Sequence, residues 1–133
     1  MPKIQGLLEM KVQLKCQTLI ELFNQSLGRV ELAEKPYLEI VRTEREEKLT
    51  FGQLWNRARD FAVHLIQSRD IRTGDKIAVL GKNRADWDVA LWGIILAGAV
   101  PVLIDPERRI EGVKKHLLLT DAKLLVIDRK SVV

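Results

Sequence analysis

Apolar residues recur along this chain with two different periods, and the switching between them predicts the fold. Leu19, Leu22, Phe23 and Leu27 are spaced as one face of a helix. Thr18-Leu-Ile-Glu21 introduces that helix as a capping box, threonine and glutamate each serving one backbone donor, and Gly28 is placed to close it. Tyr37–Thr43 and Lys48-Leu-Thr-Phe51 flank the charged run Glu44-Arg-Glu-Glu47 and read as two short antiparallel strands. A second capping box, Thr50-Phe-Gly-Gln53, opens a long helix over 51–68. Its apolar face is Phe51, Leu54, Trp55, Ala58, Phe61, Ala62, Leu65 and Ile66. From Gly74-Asp75 onward the order is strand, helix, strand, helix, strand: the runs Lys76–Leu80, Val100–Ile104 and Leu124–Ile127 enclose helices at Asn83–Ala97, capped by Asn83, and Ile110–Leu119. Strands that are apolar on both faces and separated by helices indicate a parallel sheet covered on both sides by right-handed crossovers. The expected fold class is therefore α/β: a three-layer, mainly parallel sheet flanked by helices, with a short antiparallel hairpin near the N-terminus. Residues 1–17 lack clear periodicity and read as an N-terminal extension; residues 18–133 read as one domain.

Composition narrows the class. At 133 residues and 47% hydrophobic content the chain can bury one substantial core. Val89–Ile104 is uncharged, but as one helix it would reach about 24 Å against a hydrocarbon core of about 30 Å, and Gly98 and Pro101 would break it. It reads as a buried helix followed by a buried strand, with no membrane span. Lys3, Glu9, Lys11 and Lys15 interrupt any leader-like apolar run, so a cytoplasmic protein is expected. One cysteine, Cys16, and two histidines, His64 and His116, exclude a disulfide framework and a closed zinc site. The net charge of +4 and the few scattered aromatic residues argue against a nucleic-acid partner.

Candidate chemistry is sparse. Gly81-Lys82 follows a strand, yet Lys76 and Asn83 stand where a P-loop needs glycine and a hydroxyl. Gly93 and Gly98 do not form a dinucleotide fingerprint, and Ser26, Ser68 and Ser131 have no nucleophile-elbow context. Asp105 directly follows a strand, where open α/β sheets present ligands; it reads either as a phospho-acceptor or, in keeping with Pro106 beside it, as a turn residue. His64 and His116 have no neighbouring acid or co-ligand, and Trp55, Trp87 and Trp92 fall at core spacing. Arg108-Arg109 and Lys114-Lys115 read as a solvated helix face that is also able to meet an anion.

The order and wording of the segments resemble a known family. Leu49-Thr-Phe-Gly-Gln-Leu54 is similar to the first core motif, L-T/S-Y-x-E-L, of the adenylate-forming (AMP-binding) enzymes, which include acyl-CoA synthetases, luciferases and peptide-synthetase adenylation domains. Gly74-Asp-Lys-Ile-Ala-Val-Leu80 resembles their G-D-x-V-A strand, Asn83-Arg-Ala-Asp-Trp87 their N-x-x-E-W helix start, and Leu96-Ala-Gly-Ala-Val-Pro-Val-Leu-Ile-Asp-Pro106 their second core motif. Asp121-Ala-Lys-Leu-Leu-Val-Ile-Asp128 is similar to the strand that closes this part of the family. Phe51 stands for the usual tyrosine and Gln53 for glutamate, changes that preserve the physics; Leu103, where many members have proline, together with Asn83-Arg-Ala-Asp-Trp87 and Ala99-Val-Pro101, resembles acyl-CoA synthetases, and their long-chain fatty-acid CoA ligases, more than peptide-synthetase domains.

The resemblance implies the first lobe of the large N-terminal domain of such an enzyme, truncated at Val133 and inactive by itself. The whole enzyme it implies joins a carboxylate to ATP, releasing pyrophosphate, and then exchanges AMP for the thiol of coenzyme A, with ATP, magnesium and CoA as its cofactors. The fragment itself is expected to hold no cofactor, no catalytic residue and no metal ligand. In the family a basic residue just past the motif's proline meets the nucleotide end of CoA; Glu107 takes that position here, and Arg108 and Arg109, which follow, are the candidate CoA contacts. The alternative is a freestanding interaction or regulatory module that reuses the lobe. The expected partners are the remainder of the parent chain, or a second copy pairing through a strand edge or through an uncovered face of helix Trp87–Ala97.

Overall fold

The computed structural model describes residues 16–41, 46–82 and 84–128, so most of the expected extension, the Glu44-Arg45 part of the hairpin, Asn83 and residues 129–133 lie outside it. In chain order the described elements are α1 (Leu19–Ser26), a single 3-10 turn (Val30–Leu32), β1 (Pro36–Val41), β2 (Glu46–Thr50), α2 (Phe51–Arg69), β3 (Lys76–Leu80), α3 (Ala85–Leu96), β4 (Val100–Ile104), α4 (Ile110–Thr120) and β5 (Leu124–Ile127). β1 and β2 pair antiparallel, Leu38 opposite Leu49. β3 is the centre of a parallel sheet in the order β4-β3-β5, with Ile77 opposite both Pro101 and Leu124. The chain steps one way from β3 to β4 and back past β3 to β5, so right-handed connections carry α3 and α4 over opposite faces.

Three apolar clusters follow from that layout. On one face Ile77, Val79, Leu124 and Val126 pack against Ala62 and Leu65 of α2 and Ile94 of α3. On the other, Ala78 and Ile104 meet Val113 and Leu117 of α4. The third cluster lies beyond the sheet, where Phe23 of α1 joins Leu49, Leu54, Ala58 and Val89. The tryptophans are core residues, as their spacing predicts: Trp55 stacks on Phe23 with ring centroids 5.0 Å apart, Trp92 tilts against the same ring, and Trp87 packs on the first cluster. α2 begins with both hydrogen bonds of its capping box, the Gln53 amide donating to Thr50 Oγ1 at 3.1 Å and the Thr50 amide to Gln53 Oε1 at 2.9 Å. α2 and α3 approach so closely at Gly93 that a Cβ there would lie 2.6 Å from Phe61 Cδ1.

Several details differ from the sequence reading. Thr18 Oγ1 accepts from the Glu21 amide as expected, but the Glu21 carboxylate accepts from Gln17, one residue before the cap. Gly28 does not take a left-handed turn; it is a glycine because a Cβ would strike the Trp55 ring at 2.6 Å. Helix α3 has Arg84 as its N-cap, with no bond from that side chain to the helix amides, and the expected cap Asn83 lies outside the described residues. Helix α3 also lacks the uncovered apolar face expected of it: α1, α2 and the sheet pack against its large apolar side chains, none of which is exposed, and its first turn carries Asp86 and Asp88. The exposed apolar side chains lie elsewhere, among them Val30 before β1, Val41 on β1, Ile66 on α2, Leu103 on β4, and Leu118 and Leu119 on α4.

One packed carboxyl group makes stability depend on pH. Burial holds Asp88 of α3 above its ordinary value of 3.8, against the lowering effect of its hydrogen bond with Tyr37. The folded state thus keeps the proton more tightly than the unfolded state, and stability falls as pH rises from the ordinary carboxylate value through the raised one. Asp88→Asn keeps an acceptor for Tyr37 and removes this loss. It is expected to raise the melting temperature at pH 7 and to leave it unchanged near pH 3, as read by calorimetry at both values.

Candidate functional site

The carboxyl ends of β3 and β5 and the start of α3 converge on one place, the position at which parallel sheets present their loops. Arg84 stands between β3 and α3 and reaches in two directions. Its Nε donates to Glu47 Oε1 of β2 at 3.3 Å, and its Nη1 to Asp128 Oδ2, just after β5, at 3.0 Å. The second Glu47 oxygen accepts from the Ala85 amide at 3.1 Å, so a residue of the hairpin caps α3 in place of a local side chain. These three side chains are 16–24% exposed, and the carboxylate of Asp128, helped by Glu47, raises the pKa of the Arg84 guanidinium. The result is a charged clasp that ties hairpin, helix and sheet together.

Beside the clasp is a cavity of about 260 Å³ with Val79, Trp87 and Val126 among its apolar walls, Lys82 at its rim and Asp128 at its edge. A shallower cleft of about 470 Å³ continues from it along Ala90 and Val126 to Phe61, and the Arg57–Asp86 ion pair stands at its margin. This is a surface for holding an apolar group near a cation. Nucleophile and base are not paired in it. Phosphate and metal chemistry fit it poorly: Gly81 does not adopt the left-handed backbone that would curl successive amides into an anion nest, and among the described residues no three His, Cys, Asp or Glu side chains gather to hold a metal ion.

The remaining candidates fall elsewhere. Asp105 makes a turn: its Oδ1 accepts from the Glu107 amide at 2.9 Å and its carbonyl from the Arg108 amide. Arg108 and Arg109 are exposed after β4, a strand separated from β5 and the clasp by the central β3. Arg108 Nη1 donates to His116 Nδ1 at 2.8 Å, which leaves the ring proton on Nε2, since an arginine only donates. Arg109 is the N-cap of α4 and makes no capping bond with its side chain. His64 is exposed. Sequence reasoning missed the clasp altogether.

Comparison with known proteins identifies the framework that carries this site. A family model described as AMP-binding enzyme matches residues 29–133. The chain belongs to the AMP-binding enzyme family. It is 34% identical over 111 residues to a long-chain-fatty-acid–CoA ligase of Escherichia coli O6:H1, an alignment covering 84% of this chain and 19% of that protein. It is 50% identical over 89 residues to a methyl-dioxo-octahydroindenyl-propanoyl:CoA ligase of Rhodococcus jostii, covering 62% of this chain and 17% of the relative. The fatty acyl-adenylate ligase of Legionella pneumophila, solved with acyl adenylate and pyrophosphate, superposes with a TM-score of 0.77 at 20% identity over 89% of this chain and 21% of its own. The chain thus spans about a fifth of the length of the curated relatives it matches, and its three-layer fold is that of adenylate-forming ligases.

Proposed function

We propose that this chain is the N-terminal part of the large domain of an acyl-CoA ligase and supplies its scaffold, not its reacting groups. The observation that carries this reading is the family match over residues 29–133 within about 19% of a ligase's length. In the whole enzyme, a carboxylate oxygen attacks the α-phosphate of ATP, giving acyl adenylate and pyrophosphate; the CoA thiol then attacks the acyl carbon and AMP leaves. The substrate class is a fatty or ring-bearing carboxylic acid, matching the names of the relatives, and the protein works in the cytoplasm. The strand edges of β4 and β5 are where the remainder of the parent chain, or a second copy in its place, would add. Arg108, or Arg109 beside it, meets a phosphate of CoA as a charge-assisted donor.

The test has two parts. The isolated chain, given palmitate, ATP and magnesium, is expected to show no carboxylate-dependent pyrophosphate exchange above the buffer blank, because transition-state stabilisation needs positioned donors that these residues do not provide. In a longer protein containing this chain, Arg108→Ala and Arg109→Ala together are expected to raise KM for CoA several-fold while leaving pyrophosphate exchange, which does not involve CoA, unchanged. Exchange by the isolated chain would overturn the scaffold reading; an unchanged KM would overturn the CoA contact.

A further inference from the structure

No further inference is drawn: the strongest candidate, the cavity at the carboxyl ends of β3 and β5 with Val79, Trp87 and Val126 in its walls, belongs to the site already described, and nothing in the structure shows what covers it.

Discussion

Replacing Arg84 with methionine is expected to lower the stability of the chain by about 2–3 kcal/mol, one of the two largest effects of any single substitution considered. Methionine keeps an apolar stem of similar reach, so the change isolates the charge and its hydrogen bonds. Those bonds run to Glu47 and Asp128, 37 and 44 residues away in sequence, and removing the cation takes a charge-assisted hydrogen bond from each of two partly buried carboxylates. The figure is set below the cost of breaking a fully buried pair because the site is partly open to water. A shift of the urea midpoint at unchanged slope measures the effect. A loss under about 0.5 kcal/mol would assign the clasp the value of an ordinary surface ion pair. Glu47→Gln, which preserves an oxygen for the Ala85 amide, is expected to cost less than Arg84→Met, since the helix cap survives.

Those separations explain what the sequence showed and what it hid. β3, β4 and β5 are legible to the residue, because short apolar runs bounded by Asp75, Ala99 and Lys123 have few alternative limits. The start of α2 is legible because a capping box is a local signal, carried whole by Thr50 and Gln53. Glu47, Arg84 and Asp128 carry no such signal: each is a charged residue at the end of an element, and charged residues by default read as solvated. Their meeting is a product of topology, since it depends on the chain crossing back from β4 over β3 so that β5 lies on the other side of β3. The cover over α3 is likewise non-local. Its uniform apolarity told that it was buried, but not that α1 and α2 would do the burying.

The segments that carry the family likeness have structural work to do in this fold. Gly74 and Gly98 hold left-handed backbones at the turns into β3 and β4, φ 87° and 77°, where L side chains are strained. Asp75 Oδ2 accepts from the Arg72 amide at 2.8 Å and from Lys123 Nζ at 3.0 Å, and that amide bond foremost, then Lys123, lowers its pKa. Lys123 also donates to the Asp70 carbonyl, tying the end of α2 to the start of β5. Asp105 builds the turn out of β4. Motifs that identify an enzyme family are here the turns and stops of its fold.

Phe23→Ala is the other large expected effect, and it concerns a residue that precedes the family match at 29–133. The ring is fully buried between Trp55 at 5.0 Å and 8° and Trp92 at 5.0 Å and 38°. Deleting it removes the shared contact of two indoles that belong to different helices, and neither can move in to fill the space without leaving its own neighbours. Truncating a buried phenylalanine costs about 3–5 kcal/mol, the upper part of that range applying where the site cannot collapse. The loss is expected to be uneven. The sheet cluster built on Ile77, Val79 and Ile94 does not include Phe23, whereas α1, Leu49 of β2 and Leu54 of α2 depend on it. Hydrogen exchange should therefore show amides of α1 and of the β1–β2 pair losing protection at a denaturant concentration that leaves β3 protected. If protection fell equally in β3 and α1, the two clusters would be one cooperative unit, and α1 would be as much a part of the chain's folding as the family-matched residues that follow it.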